Sequence, residues 1–179
     1  MSPDLLQPIL RSARSRPLWQ PGGNTTAVAH RGAEIQRILP QRGSFFLLDE
    51  IDAIDLPQRA LRARRHLPAG DIVFAEHFPG EPVYPAALTL EILGQAGICA
   101  VDFVERNSPD IPADRPPRRV RVIKVHRALL LQELHPGDDL TILASVIGHD
   151  DWTSIIAAQA LRGEAVCTVA IFEFLFLDR

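Results

Sequence analysis

The segment from Ala86 to Arg106 constrains the fold more than any other part of the chain. It reads AALTLEILGQAGICAVDFVER, contains no proline, and places apolar residues on nearly every side of the helix that it predicts. Pro85 stands directly before it and is a favourable residue for the start of a helix. A helix that is apolar all round must be enclosed by other elements, so the rest of the chain has to provide a cover.

The remaining apolar runs predict strands. Two of them, FFLLDEIDAID and ALRARRHL, are separated by Pro57 and Gln58 and predict a hairpin, with a short helix over AEIQRIL before it. Four further β-like runs follow the helix, divided by turn sequences: RRVRVIKVHRALLL, DDLTILASVIGHD, WTSIIAAQALRGE and AVCTVAIFEFLFL. Together they predict an α+β fold in which a long antiparallel sheet wraps the central helix.

The length of 179 residues, with 46% hydrophobic residues, fits a single domain. We assign this domain to residues 34–179. Residues 1–33 mix Pro, Gly, Ser and Arg without a sustained period, so we expect a loose peripheral arm with one short helix over PDLLQPILR.

Charge and cysteine content exclude several classes of protein. A net charge of −3 provides no basic field for nucleic acid. Cys99 and Cys167 each lie in an apolar run, which favours reduced core thiols over a disulfide framework. The N-terminus lacks a signal-peptide core, and the longest apolar stretches carry Glu91, Asp102 or Glu173, which argues against a membrane span. We therefore expect a soluble, cytoplasmic protein.

A proline-rich loop and the helix after it hold the candidate chemistry. His77 lies in the loop AEHFPGEPVYP, which three prolines and a glycine keep from forming regular structure. Glu91 falls about a turn and a half into the apolar helix, where a carboxyl group is costly to ionise and so suits a general acid. A histidine suits the complementary base, and one acid with one base is what elimination of water requires. Gln95, one turn after Glu91, either orients the carboxyl group or satisfies a backbone group.

The start of the helix adds a third element. The backbone N–H groups after Pro85 have no partners within the helix and carry the positive end of its dipole. They are suited to hold a thioester carbonyl oxygen as negative charge develops on it.

These residues carry a family resemblance. The segment HFPGEPVYPAALTLEILGQ resembles the active-site motif of the 3-hydroxyacyl-acyl-carrier-protein dehydratases, with ILPQRGSFFLLDEI upstream and HPGDDLTILASV and GEAVCTVAIFEF downstream resembling other stretches of that family. The similarity spans roughly residues 35 to 177. The spacing from His77 to Glu91 and the prolines at positions 79, 82 and 85 agree with the family pattern.

The resemblance implies a hotdog fold and a homodimer with two active sites at the subunit interface, each combining the histidine of one chain with the acid of the other. It implies His77 as the base, Glu91 as the acid and the N–H of Ala86 as the donor to the carbonyl oxygen. Glutamate at the acidic position resembles the branch that only dehydrates. The resemblance implies no metal or organic cofactor, and it implies a substrate that arrives on the phosphopantetheine of acyl-carrier protein.

Further residues of the motif are candidates for contact with the substrate. They are Phe78, Gly80, Tyr84 and Gln95. For Tyr84 the sequence leaves two interpretations open, a lining of the acyl tunnel or ordinary packing.

The chain departs from the family motif at two positions. Ala86 replaces a glycine, so that a methyl group either crowds the thioester or requires an unfavourable backbone angle. Gln41 replaces a histidine in the stretch Leu-Pro-His-Arg. Together with the arm, these changes favour a specialised dehydratase, as in polyketide or aryl-polyene assembly, over the housekeeping enzyme of fatty-acid synthesis.

Three alternatives stay open. The chain is either a dehydratase, a hotdog thioesterase, or a non-catalytic hotdog subunit paired with an active partner. The basic run is either a docking surface for acidic acyl-carrier protein or a solvated strand edge; its members are Arg115, Arg118, Arg119, Arg121 and Lys124. Assembly beyond the dimer is not determined by the sequence.

Overall fold

A computed structural model describes residues 3–177, which form three helices and one seven-stranded sheet. The helices are α1 (Pro3–Ala13), α2 (Ile72–Glu76) and α3 (Ala86–Arg106). The strands are β1 (Thr26–Arg31), β2 (Glu50–Asp55), β3 (Ala60–His66), β4 (Val120–Leu130), β5 (Asp139–His149), β6 (Thr153–Arg162) and β7 (Ala165–Phe176). All neighbouring strands are antiparallel, in the order β1-β2-β3-β5-β6-β7-β4.

The sheet wraps α3, which confirms the predicted α+β hotdog arrangement. All residues from Ile92 to Phe103 are buried, and α3 packs against five of the strands. By length and composition α3 is apolar enough to cross a membrane, but most of that stretch is enclosed within the domain. At Gly97 a methyl group would lie 3.1 Å from Ile156 and 3.3 Å from Phe174, so glycine lets the helix approach the sheet closely.

The N-terminal arm is at the periphery but is not loose. It contributes the edge strand β1, which pairs with β2 and was missing from the sequence prediction. Before β1, the chain covers the outer face of the sheet with a second apolar cluster that includes Leu6, Leu10 and Trp19. The side chain of Gln159 on β6 donates to the carbonyl oxygens of Ala13 and Arg16 and accepts from the N–H of Leu18 at 2.8 Å. The arm is therefore fastened to the sheet through its backbone.

Local details differ from the sequence prediction at three places. The helix expected over AEIQRIL is a single 3₁₀ turn, Ile35–Arg37, and the first long strand begins at Glu50 rather than at Phe45. The short helix α2 was not predicted, because five residues are too few for a helical period to be read. The four strands after α3 and the β2–β3 hairpin are confirmed.

The β2–β3 turn is closed by a buried aspartate. Asp55 accepts hydrogen bonds from the backbone and the side chain of Gln58, both at 2.9 Å, and from the Thr25 hydroxyl at 3.2 Å. Burial works to raise the pKa of Asp55, but these donors outweigh it and the net pKa is lowered. The same carboxylate thus stabilises the hairpin and the end of the arm.

A second buried carboxylate, Asp102 on α3, forms ion pairs with three arginines. It is fully buried and accepts from Arg106 at 2.8 Å, from Arg115, and from Arg118 at 3.4 Å. Arg118 is itself 3% exposed and also donates to Glu105 at 2.6 Å. Arg115 and Arg118 therefore serve an internal ion-pair cluster, so the docking surface considered from the sequence cannot rest on them. The sequence could not show this, because the pairing depends on where α3 and the following loop meet.

Both cysteines are free and buried, as predicted. Burial raises the pKa of Cys167, and burial together with the Asp102 carboxylate raises that of Cys99 well above its ordinary value. These thiols are packing residues of the core rather than nucleophiles.

Replacing Asp102 with asparagine should destabilise the protein strongly. The change leaves buried positive charge uncompensated, and we expect the free energy of unfolding to fall by about 3 kcal/mol. Urea denaturation followed by circular dichroism measures this loss. The matched control is Asp110→Asn, in an exposed loop, which should change stability by less than about 0.5 kcal/mol. Equal effects of the two substitutions would contradict the role assigned to Asp102.

Candidate active site

A hydrogen bond within its own loop determines which ring nitrogen of His77 carries a hydrogen. The residue ends α2, and its Nδ1 lies 2.8 Å from the carbonyl oxygen of Val83. A carbonyl oxygen only accepts, so Nδ1 carries the hydrogen and donates it. In the neutral ring Nε2 then has the free electron pair, and His77 presents a base at Nε2.

The loop that carries His77 is shaped by backbone hydrogen bonds. The N–H groups of Phe78 and Glu81 each donate to the other residue's carbonyl oxygen, at 3.1 and 3.0 Å, and Val83 N–H donates to the carbonyl of His77 at 2.9 Å. Gly80 has φ +85°, a conformation that other residues rarely adopt. Gly80 thus allows the turn in this loop. Its contact with substrate stays a prediction.

His77 opens into a cavity of about 290 Å³ between the loop, the start of α3 and the strands behind them. The loop and helix side is formed by His77, Val83, Tyr84, Ala86 and Thr89. The opposite side is formed by Leu130, Leu131, Gln132, Glu133, Leu134 and Thr168. The lining is mostly apolar, as expected for a site that takes an acyl chain.

The first residue of α3 lies at this cavity with its N–H available. The carbonyl oxygen of Pro85 accepts from Leu88 and Thr89, whereas the N–H of Ala86 makes no hydrogen bond within residues 3–177. It sits at the positive end of a 21-residue helix. Ala86 is helical, so the unfavourable backbone angle considered from the sequence does not arise, and only its methyl group affects the space in the cavity.

Glu91 is oriented by two glutamines. Its Oε1 accepts from Gln41 Nε2 at 2.8 Å and from Gln95 Nε2 at 2.9 Å. Gln95 is fully buried, and it also donates to the carbonyl oxygen of Phe45 and accepts from the N–H of Leu47. Both interpretations of Gln95 therefore hold geometrically: it contacts the carboxyl group and satisfies backbone groups. Gln41 was noticed in the sequence only as a departure from a motif, not as a site residue.

One protomer does not bring the acid and the base together in one cavity. Glu91 is absent from the residues that line the His77 cavity, although Ala86, little more than one helical turn before it, is among them. In the described part of one chain, the lining of the His77 cavity thus includes the base and the residue with the carbonyl donor but not the acid.

The two aromatic candidates differ in exposure. Phe78 stacks on the His77 ring with 4.0 Å between ring centroids and is 56% exposed. Tyr84 is buried, packs against Phe74 and lines the cavity, so both interpretations of it hold geometrically. Burial raises the pKa of Tyr84. Glu76 and Glu81, which flank the loop, are exposed.

Residues 39–166 match the family described as FabA-like domain. The chain is similar to the 3-hydroxyacyl-[acyl-carrier-protein] dehydratase FabZ of Chlamydia trachomatis serovar L2, with 34% identity over 82% of this chain and 92% of the relative. It is 28% identical to the FabZ of Campylobacter curvus, over 82% of this chain and 97% of the relative.

Solved structures share the fold. One is the dehydratase heterocomplex ApeI:P from Xenorhabdus doucetiae, with a TM-score of 0.60, 14% identity and coverage of 81% of this chain and 91% of that chain. Another is an uncharacterised protein from Pyrococcus horikoshii, with a TM-score of 0.54, 16% identity and coverage of 86% and 96%. At these identities the similarity is evidence of the fold alone.

Proposed function

The chain belongs to the family of FabA-like domains, and on that premise we propose that it is a hydro-lyase acting on 3-hydroxyacyl groups carried by acyl-carrier protein. The product is the trans-2-enoyl thioester. The observation that carries the proposal is the single cavity in which Nε2 of His77 and the N–H of Ala86 are both available. A base and an oxyanion donor on one apolar cavity suit removal of a proton next to a thioester carbonyl.

Each group has one task in the reaction. The thioester carbonyl oxygen accepts from Ala86 N–H, which stabilises the charge that develops as Nε2 of His77 removes the proton from C2. The C2–C3 double bond forms as the C3–O bond breaks, and the acid form of Glu91 gives its proton to the departing hydroxyl, so that water leaves. Transfer of the proton from His77 back to Glu91 then restores both groups. No metal or organic cofactor takes part in this scheme.

We propose that a second copy of the chain supplies Glu91. Strand β4 is the last strand of the sheet, so one edge of its backbone pairs with no other strand of the described chain. Its exposed apolar side chains include Val122, Ile123 and Val125, each about half exposed. Leu130, at the end of this strand, lines the His77 cavity. Pairing of two β4 edges would cover these residues and place the cavity beside the partner's helix, as the family resemblance implies.

The proposal extends to the binding partner of the chain, its pathway and its location in the cell. Acyl-carrier protein delivers the substrate in the cytoplasm, and the dimer either stays alone, assembles further, or is replaced by a pair with another hotdog chain. The ordered arm, Ala86 and Gln41 support a specialised polyketide or aryl-polyene pathway over housekeeping fatty-acid synthesis. Neither nucleic acid nor a membrane has a role.

Dehydration and its shared site are tested together by mixing two inactive variants. His77→Ala and Glu91→Ala should each reduce the loss of 18 Da from a 3-hydroxyacyl thioester on acyl-carrier protein to a small residual rate, about 10³-fold or more below wild type, followed by mass spectrometry. Refolded as an equal mixture, they should recover about one quarter of wild-type turnover, because half the dimers are mixed and each has one intact site. A mixture that stays inactive would contradict the shared site. Free acid released by the wild type would indicate a thioesterase, and an inert wild type would indicate a non-catalytic subunit.

The proposal that β4 forms the dimer interface is tested by introducing charged residues on this strand. The double variant Ile123→Glu with Val125→Glu should be monomeric by light scattering and lose dehydration, because the dimer would have to bury carboxylates against apolar neighbours. Ile72→Glu is the matched control: this apolar residue is 68% exposed and belongs to α2 rather than to β4, and its variant should remain dimeric. A dimeric, active double variant would rule out this edge as the interface.

Ala86→Gly should raise kcat/KM modestly, about twofold, because removal of the methyl group widens the cavity while the N–H donor remains. Steady-state kinetics on the same thioester measure the change. A large loss of activity would show that the methyl group has a positive role.

A further inference from the structure

The carboxyl group of Glu91 is held on one oxygen only. Gln41 and Gln95 both donate to Oε1, at 2.8 and 2.9 Å, whereas Oε2 makes no hydrogen bond within residues 3–177. Two amide N–H groups directed at one oxygen keep that oxygen an acceptor, because a hydroxyl there would place hydrogen against hydrogen. The proton of the acid form is therefore assigned to Oε2.

The side-chain amide of Gln95 has only one orientation that satisfies its hydrogen bonds. Its Oε1 accepts from the N–H of Leu47 at 2.9 Å, and its Nε2 donates to the carbonyl of Phe45 at 2.8 Å as well as to Glu91. Turning the amide over would oppose donor to donor and acceptor to acceptor, so its orientation is determined by the backbone. Gln95 is also fully buried, which makes an unmade hydrogen bond costly.

Gln41 is held differently, through its backbone. The carbonyl oxygen of Gln41 accepts from Arg42 Nη1 at 2.7 Å, and Arg42 also donates to the carbonyls of Leu39 at 2.6 Å and Gln36 at 3.0 Å. The side-chain Oε1 of Gln41 is buried and has no hydrogen-bond partner within the described residues. The contact between Gln41 Nε2 and Glu91 is thus the one hydrogen bond found for that side chain, and it leaves the other end of the amide unsatisfied.

We propose that Gln41 is a positioning residue for the acid, and this rests on the proposed dehydratase function. With Gln95 it directs Oε1 of Glu91 away from the reaction and leaves Oε2 to deliver the proton to the departing hydroxyl. The N–H of Gln41 also stabilises the carboxylate that remains after the proton is given up, an interaction stronger in the transition state than before it. Gln41 does not touch the reacting atoms; it acts through Glu91.

A double-mutant cycle distinguishes positioning from a general structural role. Gln41→Met keeps the length of the side chain and removes the donor, so kcat should fall about 10- to 100-fold while KM changes less than about twofold. In the Glu91→Ala background the same substitution should cause no further loss in residual turnover, because the group through which it acts is gone. Gln41→His, which retains an N–H donor, should restore most of kcat. Gln20→Met, at an exposed position in the arm, is the matched control and should leave kcat unchanged.

Equal losses from Gln41→Met in the wild-type and Glu91→Ala backgrounds would overturn the proposal, as would an unchanged kcat in the single variant. A readout independent of turnover is the side-chain amide signal of Gln41 in ¹⁵N–¹H NMR, assigned by its disappearance in Gln41→Met. Its bonded proton should lie at lower field in the wild type than in Glu91→Ala. If the wild type fails to dehydrate, the function is wrong and the NMR shift alone decides whether Gln41 holds Glu91; no difference in shift would refute that contact.

Discussion

Enclosure of the apolar helix α3 is the constraint on which the rest of the structure depends. The helix is buried from Ile92 to Phe103, and the strands that cover it come from both sides of it in the chain. Burial on this scale makes every polar group on the helix costly unless it is paired. Gln95 and Asp102 are fully buried; Gln95 is hydrogen-bonded to the distant segment at Phe45 and Leu47, and Asp102 is paired with arginines of its own helix and of the segment that follows it. The hydrophobic core and the polar network are therefore parts of one arrangement, in which polar residues of the helix determine where the loops attach.

The position of the candidate site follows from where this helix begins. Pro85 ends the extended loop with a φ of −59°, and the chain enters the helix directly at the cavity. The same turn that starts α3 thus places at the cavity beside His77 the N–H of Ala86, which has no hydrogen-bond partner among residues 3–177. Glu91 lies about a turn and a half further along, where the helix has rotated it to another side. That rotation takes Glu91 away from the residues that line the His77 cavity, and it is the reason for the proposal that a second chain supplies the acid.

The sequence was informative where an element has a long period or a dense motif. The helix, the four strands after it, the β2–β3 hairpin and the loop with His77 were all predicted. It failed where short or polar segments derive their structure from distant contacts. Strand β1 was missed because TAVAHR is half exposed and forms only beside β2, and Arg115 and Arg118 were considered for docking although Asp102 binds both.

By itself, the sequence determined the fold class and the identity of the chemical groups, because hydrophobic periodicity, proline placement and residue type are local properties. Only the tertiary structure decided how those groups are presented. In the folded chain, Nδ1 of His77 donates to the carbonyl oxygen of Val83. The carboxyl group of Glu91 accepts from the side-chain amides of Gln41 and Gln95, which places Gln41 beside the acid. Gln41 and Glu91 are fifty residues apart in the chain, and no local pattern specifies a hydrogen bond over that separation. Such a contact exists because packing of the loop against α3 brings the two residues together, and packing is a property of the whole chain.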